Sequence, residues 1–277
     1  MLSSAEVGKR IKTFHTVDDV VSAMKAYAGV TVRKTEEIVP RIREYERNML
    51  SAIADVTAHY GTGPPEGQKK GRRILVAFGS SVGLCGPYNE KMADAVSGSY
   101  AAEDALFVVG KRLKSSLDLR NIPYRDYGDA VISVNGIQTA LKDTLAKIMN
   151  IYRRKEYYDL TFVFTYILEK KAEISVERIL PPSIDGISPV KNPPLTYMEP
   201  SAIFDNILEE FIYVSLYRCY VESLRSENWY RLRSMEGASE SLKKHLSELG
   251  SLQRYIGQEE ITEEMIEILG SGRFYGP

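Results

Sequence analysis

Apolar residues recur at every seventh position from Val7 to Val56. A second, mostly apolar row lies three positions after the first, and two such rows form the seam of a left-handed coiled coil. The spacing therefore predicts one long helix, whose first row consists of Val7, Phe14, Val21, Ala28, Thr35, Ile42, Met49 and Val56. The second row consists of Val17, Met24, Thr31, Ile38, Tyr45 and Ala52.

A helix over this segment would be about 75 Å long at the usual rise per residue. A compact globule of this chain length has a diameter of about 50 Å. We therefore expect the helix to project from the rest of the protein unless it breaks. Pro40 is the candidate break, because proline lacks the backbone donor and clashes with the preceding turn.

The heptad pattern returns after residue 203 and continues almost to the end of the chain. Asn228 occupies one seam position, where a polar residue weakens a coiled coil but fixes its register. Because the chain leaves and returns, we expect the two long helices to pack antiparallel. The C-terminal seam consists of Ile207, Val214, Val221, Asn228, Met235, Leu242, Leu249 and Ile256.

Short apolar runs alternate with helical patterns between the two heptad regions. This alternation predicts an α/β domain with a largely parallel, Rossmann-like sheet. Linkers rich in Gly and Pro at 61–71 and 181–200 flank the domain, so we predict three parts, at 1–60, 73–200 and 201–277. Strands are predicted at 74–78, 105–109, 160–166 and 174–180, and helices at 89–100, 111–119 and 137–152.

Composition narrows the classes of function. The 277 residues are 44% hydrophobic and carry a net charge of -1, which disfavours a dedicated nucleic-acid binder. Two cysteines, Cys85 and Cys219, cannot build a disulfide framework or a cysteine-based zinc site, and the three histidines are widely spread. We find no apolar run long enough to span a membrane and no signal-peptide pattern, and we expect a cytoplasmic protein or one that lies on one side of a membrane without crossing it.

The segment Gly79–Gly86 follows the first predicted strand and is the candidate for chemistry. A glycine-rich turn there could cradle a phosphate, but it lacks the dinucleotide and P-loop fingerprints, so a tight structural turn is the alternative. Cys85 is either a nucleophile at a helix start or a small buried thiol. The basic run at 69–73 could contact phosphate or simply flank a linker. No catalytic, cofactor or metal constellation emerges, which favours a mechanical or scaffolding protein.

Ordered motifs along the chain resemble the gamma subunit of F-type rotary ATP synthases. They begin with Lys9–Thr13, continue through Gly83–Gly86 with Asn89, and include Tyr197–Pro200 at the start of the last helix. Ser81-Val82 replaces the Asp-Arg pair that the family usually carries before Gly83, which indicates a divergent member. The further matching positions are Ala23, Met24, Lys25, Arg33, Lys34, Glu222, Ser226, Glu227, Arg231, Met235, Ile261, Thr262, Glu264, Glu267 and Ile268.

The resemblance implies an antiparallel coiled coil of the terminal helices beside a Rossmann-like domain, and a non-catalytic shaft that turns inside a ring of alpha and beta subunits. It implies further contacts with an epsilon subunit and a membrane c-ring, without nucleic acid or direct membrane insertion. The implied location is the cytoplasmic face of a prokaryotic cell membrane, with an organellar enzyme as the alternative. Residues implied to contact the beta subunits are Met24, Lys25, Cys85, Arg231 and Gln258.

Other interpretations stay open at the level of sequence. Met24 is also a seam residue of the heptad, and Arg231 could be a solvated side chain. The chain as a whole could be an α/β nucleotide-binding protein or enzyme with helical arms, using the Gly79–Gly86 turn. It could also be a free-standing coiled-coil adaptor.

Overall fold

A computed structural model describes residues 3–62, 72–152 and 157–272, and it confirms the predicted α/β class with long terminal helices. The predicted linker at 61–71 and the basic run at 69–73 fall largely outside the described residues. The helices are α1 (Ser4–Tyr60), α2 (Tyr88–Ser99), α3 (Lys111–Asp118), α4 (Ile137–Tyr152) and α5 (Pro200–Gly272), with a 3-10 turn at Val134–Gly136. The strands are β1 (Arg72–Phe78), β2 (Ala105–Val109), β3 (Asp126–Gly128), β4 (Tyr157–Leu168) and β5 (Lys171–Leu180).

Two compact units make up the chain. One comprises residues 28–231, and the other combines the segment up to residue 27 with the segment from residue 232. Each long helix therefore contributes to both units. The three-part division of the chain inferred above stays a prediction. Across the described residues, no helix combines the length and the hydropathy that a membrane crossing requires.

The unit of residues 28–231 is built on a five-stranded sheet with the strand order β3-β2-β1-β4-β5. Strands β3, β2, β1 and β4 run parallel, and β5 pairs antiparallel with β4. The parallel strands β1 and β2 are almost wholly buried apolar runs, as expected when helices cover both faces of a sheet. The three-residue β3 escaped the sequence analysis because it is too short to carry a period.

Helices cover this sheet on both faces. One face packs on α2 and α3, where Leu75, Leu106, Met92 and Leu113 belong to one small apolar cluster. The other face packs on α4, α5 and the part of α1 within this unit, in a larger core. Phe78 forms edge-to-face ring contacts with Phe162 and Tyr220 in that core, with ring centroids 5.7 and 5.2 Å apart.

In the other unit, the N-terminal part of α1 and the C-terminal part of α5 form an antiparallel pair. Lys25 Nζ lies 3.8 Å from Glu236 Oε1, and the Ser4 amide donates to Glu260 Oε1 at 3.1 Å. Rising numbers on α1 thus meet falling numbers on α5, as predicted. Beyond this pairing, residues 261–269 of α5 are exposed, including the apolar residues Ile261, Met265, Ile266 and Ile268.

The first seam row of each long helix is buried or half-buried, as predicted. The second row of α1 is wrong at Val17 and Tyr45, which are 44% and 43% exposed. In the unit of residues 28–231, the innermost positions are Val39 and Glu46, which are buried, and not the predicted Ile38 and Tyr45. Here α1 packs against a broad core of sheet and helix, and a straight helix of 3.6 residues per turn drifts away from a strict heptad.

The predicted break at Pro40 is also wrong, because α1 continues through it. Pro40 is exposed, and so is Glu36 one turn earlier, whose carbonyl loses its helical partner to the proline. Solvent can satisfy a carbonyl on that side, so the helix tolerates the missing hydrogen bond.

Two glycines of this unit make a matched stability test. A Cβ on Gly79 would lie 2.3 Å from Leu113 Cβ, whereas a Cβ on the helical, exposed Gly98 would meet nothing within 4 Å. We expect Gly79→Ala to lower the free energy of unfolding by about 1–3 kcal/mol through overpacking. We expect Gly98→Ala to raise it by about 0.5–1 kcal/mol through reduced backbone entropy. Urea unfolding of the full chain measures both, and equal effects would contradict the close packing of Gly79 on α3.

Candidate functional site

The loop from Gly79 to Gly86, here called the β1 loop, connects β1 to α2 and brings two predicted contact residues together. Gly79 donates its amide to Val109 O at 2.8 Å, which ties the loop to the end of β2. Asn89 at the start of α2 holds the next residue on both sides: its Oδ1 accepts from the Ser80 amide at 3.0 Å, and its Nδ2 donates to Ser80 Oγ at 2.8 Å. The first part of the loop is therefore fixed by neutral hydrogen bonds.

Cys85 is buried in this loop, with 3% of its surface exposed. Its Sγ accepts from Asn89 Nδ2 at 3.4 Å and donates to Val82 O at 3.8 Å. Burial raises the pKa of the thiol, although its hydrogen bond with Ser80 opposes the rise. The environment favours the interpretation as a buried thiol over the interpretation as a nucleophile, because the thiolate is the reactive form.

Arg231 on α5 reaches the same loop from the opposite side and is 3% exposed. Its Nη2 donates to Gly83 O at 3.3 Å and reaches Val82 O at 3.5 Å, and its Nε donates to Gly83 O at 3.4 Å. Within α5, Nη1 donates to Asn228 Oδ1 at 2.8 Å, and Nη2 forms an ion pair with Glu227. Arg231 is therefore not the solvated side chain that the sequence left open.

Asn228 has a different role from the one predicted at the seam. Its Nδ2 donates to Leu224 O at 2.9 Å on its own helix, and its Oδ1 accepts from Arg231. The side-chain amide of Asn228 therefore bonds to its own helix and orients the guanidinium of Arg231, and these hydrogen bonds do not reach α1. These contacts do not include the bond across the seam that would fix the register of the two helices.

Glu227 is the titratable group of this site. Burial raises its pKa to about 7, against the opposing influence of the Arg231 charge. Tyr88 of α2 is buried alongside, and its hydroxyl lies 3.4 Å from two possible acceptors, Ser223 O and Phe78 O. Burial is also the main reason that the pKa of Tyr88 is raised, with a further contribution from the nearby Glu227 carboxylate.

The other predicted contact residues lie in the unit formed by the chain ends. Met24 is half-buried on α1, consistent with a seam position. Lys25 lies beside Glu236 with about half of its side chain exposed, and Gln258 on α5 is exposed. The structure therefore brings Cys85 and Arg231 together at the β1 loop, whereas Met24, Lys25 and Gln258 belong to the unit formed by the chain ends.

Sequence reasoning missed a partly buried ionic network between α1, α5 and β5. Arg43 donates to the fully buried Glu222 at 2.5 Å, and Arg218 lies 2.6 Å from Glu46 and 2.8 Å from Glu177. A cavity of about 800 Å³ adjoins these side chains. Charged residues on a heptad helix ordinarily face solvent, so the only available signal was the position of Glu46 and Arg218 close to the seam rows.

Comparisons with known proteins match this chain to ATP synthase chains. The family model described as ATP synthase matches residues 3–272. The ATP synthase gamma chain of Geotalea uraniireducens is 25% identical over 97% of both chains, and that of Bdellovibrio bacteriovorus is 26% identical over 97% of both.

Solved structures share the fold. A chain of the Euglena gracilis mitochondrial ATP synthase, from a structure of OSCP, F1 and c-ring, superposes with a TM-score of 0.65 at 14% identity, over 98% of this chain and 93% of that one. A chain of the Tetrahymena thermophila mitochondrial ATP synthase, from a structure of central stalk and c-ring, has a TM-score of 0.58 at 18% identity, over 79% of this chain and 99% of that one.

The raised pKa of Glu227 predicts a pH-dependent stability. The native protein holds this proton more tightly than the unfolded chain, so the stabilisation is complete below the ordinary value of 4.5 and is lost as the pH rises to about 7. Urea unfolding of the full chain should therefore give a free energy that falls by about 1–3 kcal/mol over this range, relative to Glu227→Gln. Parallel pH profiles of the two proteins would contradict this assignment.

Proposed function

The chain belongs to the ATP synthase family, and on that premise we propose that it is the gamma, or central-stalk, subunit of a rotary F-type ATP synthase. The observation that carries the proposal is the family match over 3–272, which includes both long helices and the α/β domain between them. A likeness confined to the Rossmann-like domain would be shared with many enzymes. The long terminal helices in the same match favour a shaft.

The mechanism follows from the shape of a helix pair. We propose that the antiparallel pair of α1 and α5 turns inside a ring of alpha and beta subunits. The two helices present different side chains on each side, and α5 extends beyond its pairing with the start of α1 through an exposed segment at 261–269. Each catalytic site on the ring therefore meets a different surface at any moment, and rotation changes the state of each site in turn. The shaft performs no chemistry itself.

Contact residues divide by exposure. Lys25 and Gln258 are accessible on the helix pair, so we propose them, with the half-buried Met24, as direct contacts to beta subunits. Cys85 and Arg231 were proposed in the same role by the resemblance, but both are 3% exposed. We propose that the ring meets the surface of the β1 loop at this place, and not these two side chains.

Assembly partners complete the proposal. Beyond the alpha and beta ring, we propose that the chain couples to a membrane c-ring and an epsilon subunit. The relatives described above are bacterial gamma chains, which supports a peripheral location on the cytoplasmic face of a prokaryotic cell membrane. The coupled ion flow through the c-ring would drive ATP synthesis or be driven by ATP hydrolysis.

Nucleotide binding at the β1 loop is the alternative, and the geometry at the first residues of the loop disfavours it. A phosphate cradle needs free backbone amides at the strand-to-helix turn. The Ser80 amide is used by Asn89, and at the start of α3 the Arg112 amide donates to Ser80 O at 2.9 Å. A Cβ on Gly110 would lie 2.6 Å from Ser80 O, so no gap separates the two turns.

Co-purification tests the proposal. The tagged full chain, expressed in its own cells, should bring down Walker-type alpha and beta subunits and a membrane c-ring, and the purified assembly should couple ATP turnover to ion transport. Recovery of the full chain without any alpha or beta subunit would contradict the shaft function. Tight nucleotide binding by the chain alone would favour the alternative.

Gln258 provides a sharper test within the assembled complex. Gln258→Ala should lower coupled ATP turnover by about two- to fivefold, the effect of losing one polar contact of about 0.5–1 kcal/mol. Lys244→Ala, also at an exposed position of α5, is the control and should retain turnover. Turnover of the Gln258 variant equal to that of the control would remove Gln258 from the contact surface.

A further inference from the structure

The outer half of the β1 loop, residues 81–84, includes the exposed Leu84. Ser81, Val82 and Gly83 are half-buried, and Leu84 is 59% exposed. Leu84 also has a φ of 63°, in the left-handed region that non-glycine residues rarely adopt. Such a conformation persists only where surrounding contacts enforce it. The question is which contacts hold this half of the loop in place.

Arg231 provides the charged contact. Its guanidinium donates to two consecutive carbonyls immediately before Leu84, those of Val82 and Gly83. Hydrogen bonds from an ionised donor are stronger than neutral ones, and the planar fork of arginine can serve several acceptors at once. Neutral hydrogen bonds also hold this half of the loop: Ser80 Oγ donates to Val82 O at 3.0 Å, and Ser81 Oγ accepts from the Ala130 amide at 2.8 Å.

The guanidinium is itself held in one orientation. Glu227 and Asn228 lie one turn earlier on α5 and bind its two terminal nitrogens. All three side chains are buried, Asn228 completely, so each depends on the others for its hydrogen bonds. A buried arginine with this many internal partners has little capacity left for a ligand outside the chain.

We propose that Arg231 is a positioning residue that anchors the outer half of the β1 loop to α5, closes the loop over the Cys85 thiol and holds Leu84 outward. The inference does not rest on the proposed function, since it concerns contacts within one unit of the chain. It assigns Arg231 an internal role in place of a direct partner contact. Loss of the anchor should open the loop locally while β1, α2 and α5 stay folded.

The labelling rates of the two buried cysteines measure whether the loop opens. Cys85 lies under the loop, whereas Cys219 is completely buried in the core beside the sheet and reports on global unfolding. Maleimide labelling of the folded full chain, with each thiol followed by mass spectrometry, separates the two. We expect Arg231→Gln to raise the labelling rate of Cys85 by about tenfold or more, because the loop loses its charged hydrogen bonds. The labelling rate of Cys219 should stay unchanged.

Arg225→Gln is the matched control. Arg225 is also a mostly buried arginine on α5, paired with Glu36 at 3.1 Å on α1. Its loss should leave Cys85 as slow to react as in the unmodified chain. Arg231→Lys keeps the charge but not the fork, so it should give an intermediate rate, and it replaces Arg231→Gln in the same comparison if that variant does not fold.

Two results would overturn the proposal. The first is an equal labelling rate of Cys85 in the Arg231 and Arg225 variants. The second is a parallel increase at Cys85 and Cys219, which would mean that Arg231 stabilises the whole unit rather than the loop. Neither result depends on assembly with alpha and beta subunits, so a failure here is distinct from a failure of the proposed function.

Discussion

The burial of α5 between residues 211 and 231 is the constraint on which the unit of residues 28–231 depends. This segment is covered on nearly all sides, by the sheet, by α4 and by α1. Its apolar residues fill the larger core, where Tyr220 packs on Phe78. Its buried ionisable residues are shielded from bulk water, so each needs a partner within the protein. Arg218 and Glu222 find theirs on α1, and Arg231 finds its partners on its own helix and the β1 loop.

These buried pairs connect elements that apolar packing alone would allow to slide. Removing one member of a buried pair leaves the other charge uncompensated. This loss costs more free energy of folding than the intact pair contributes. The buried pair of Arg218 with Glu46, and the buried Glu222 with its half-exposed partner Arg43, therefore favour one register between α5 and α1 in this unit. A subunit that transmits torque needs such a fixed register, because a helix that slips under load does not turn its domain.

Sequence reasoning predicted the architecture well, since long heptads and apolar strands leave strong periodic signals. It misplaced the second seam row of α1 because Glu46, a charged residue, occupies a buried position that a hydrophobic pattern cannot count. It missed β3, whose three residues carry no period. The resemblance indicated Arg231 and Cys85, yet their burial follows from how the β1 loop folds onto α5, and no spacing in the sequence encodes that contact.

Native-state hydrogen exchange on the full chain tests most directly whether the middle of α5 is the shared core of its unit. The account predicts that amides of α5 between 211 and 231, of α1 between 39 and 56 and of β1 and β4 exchange slowest and share one opening free energy, because they unfold together. Faster exchange of α1 at 39–56, with α5 and the sheet still protected, would contradict it. That result would mean that the buried ion pairs do not join the two long helices into one cooperative structure.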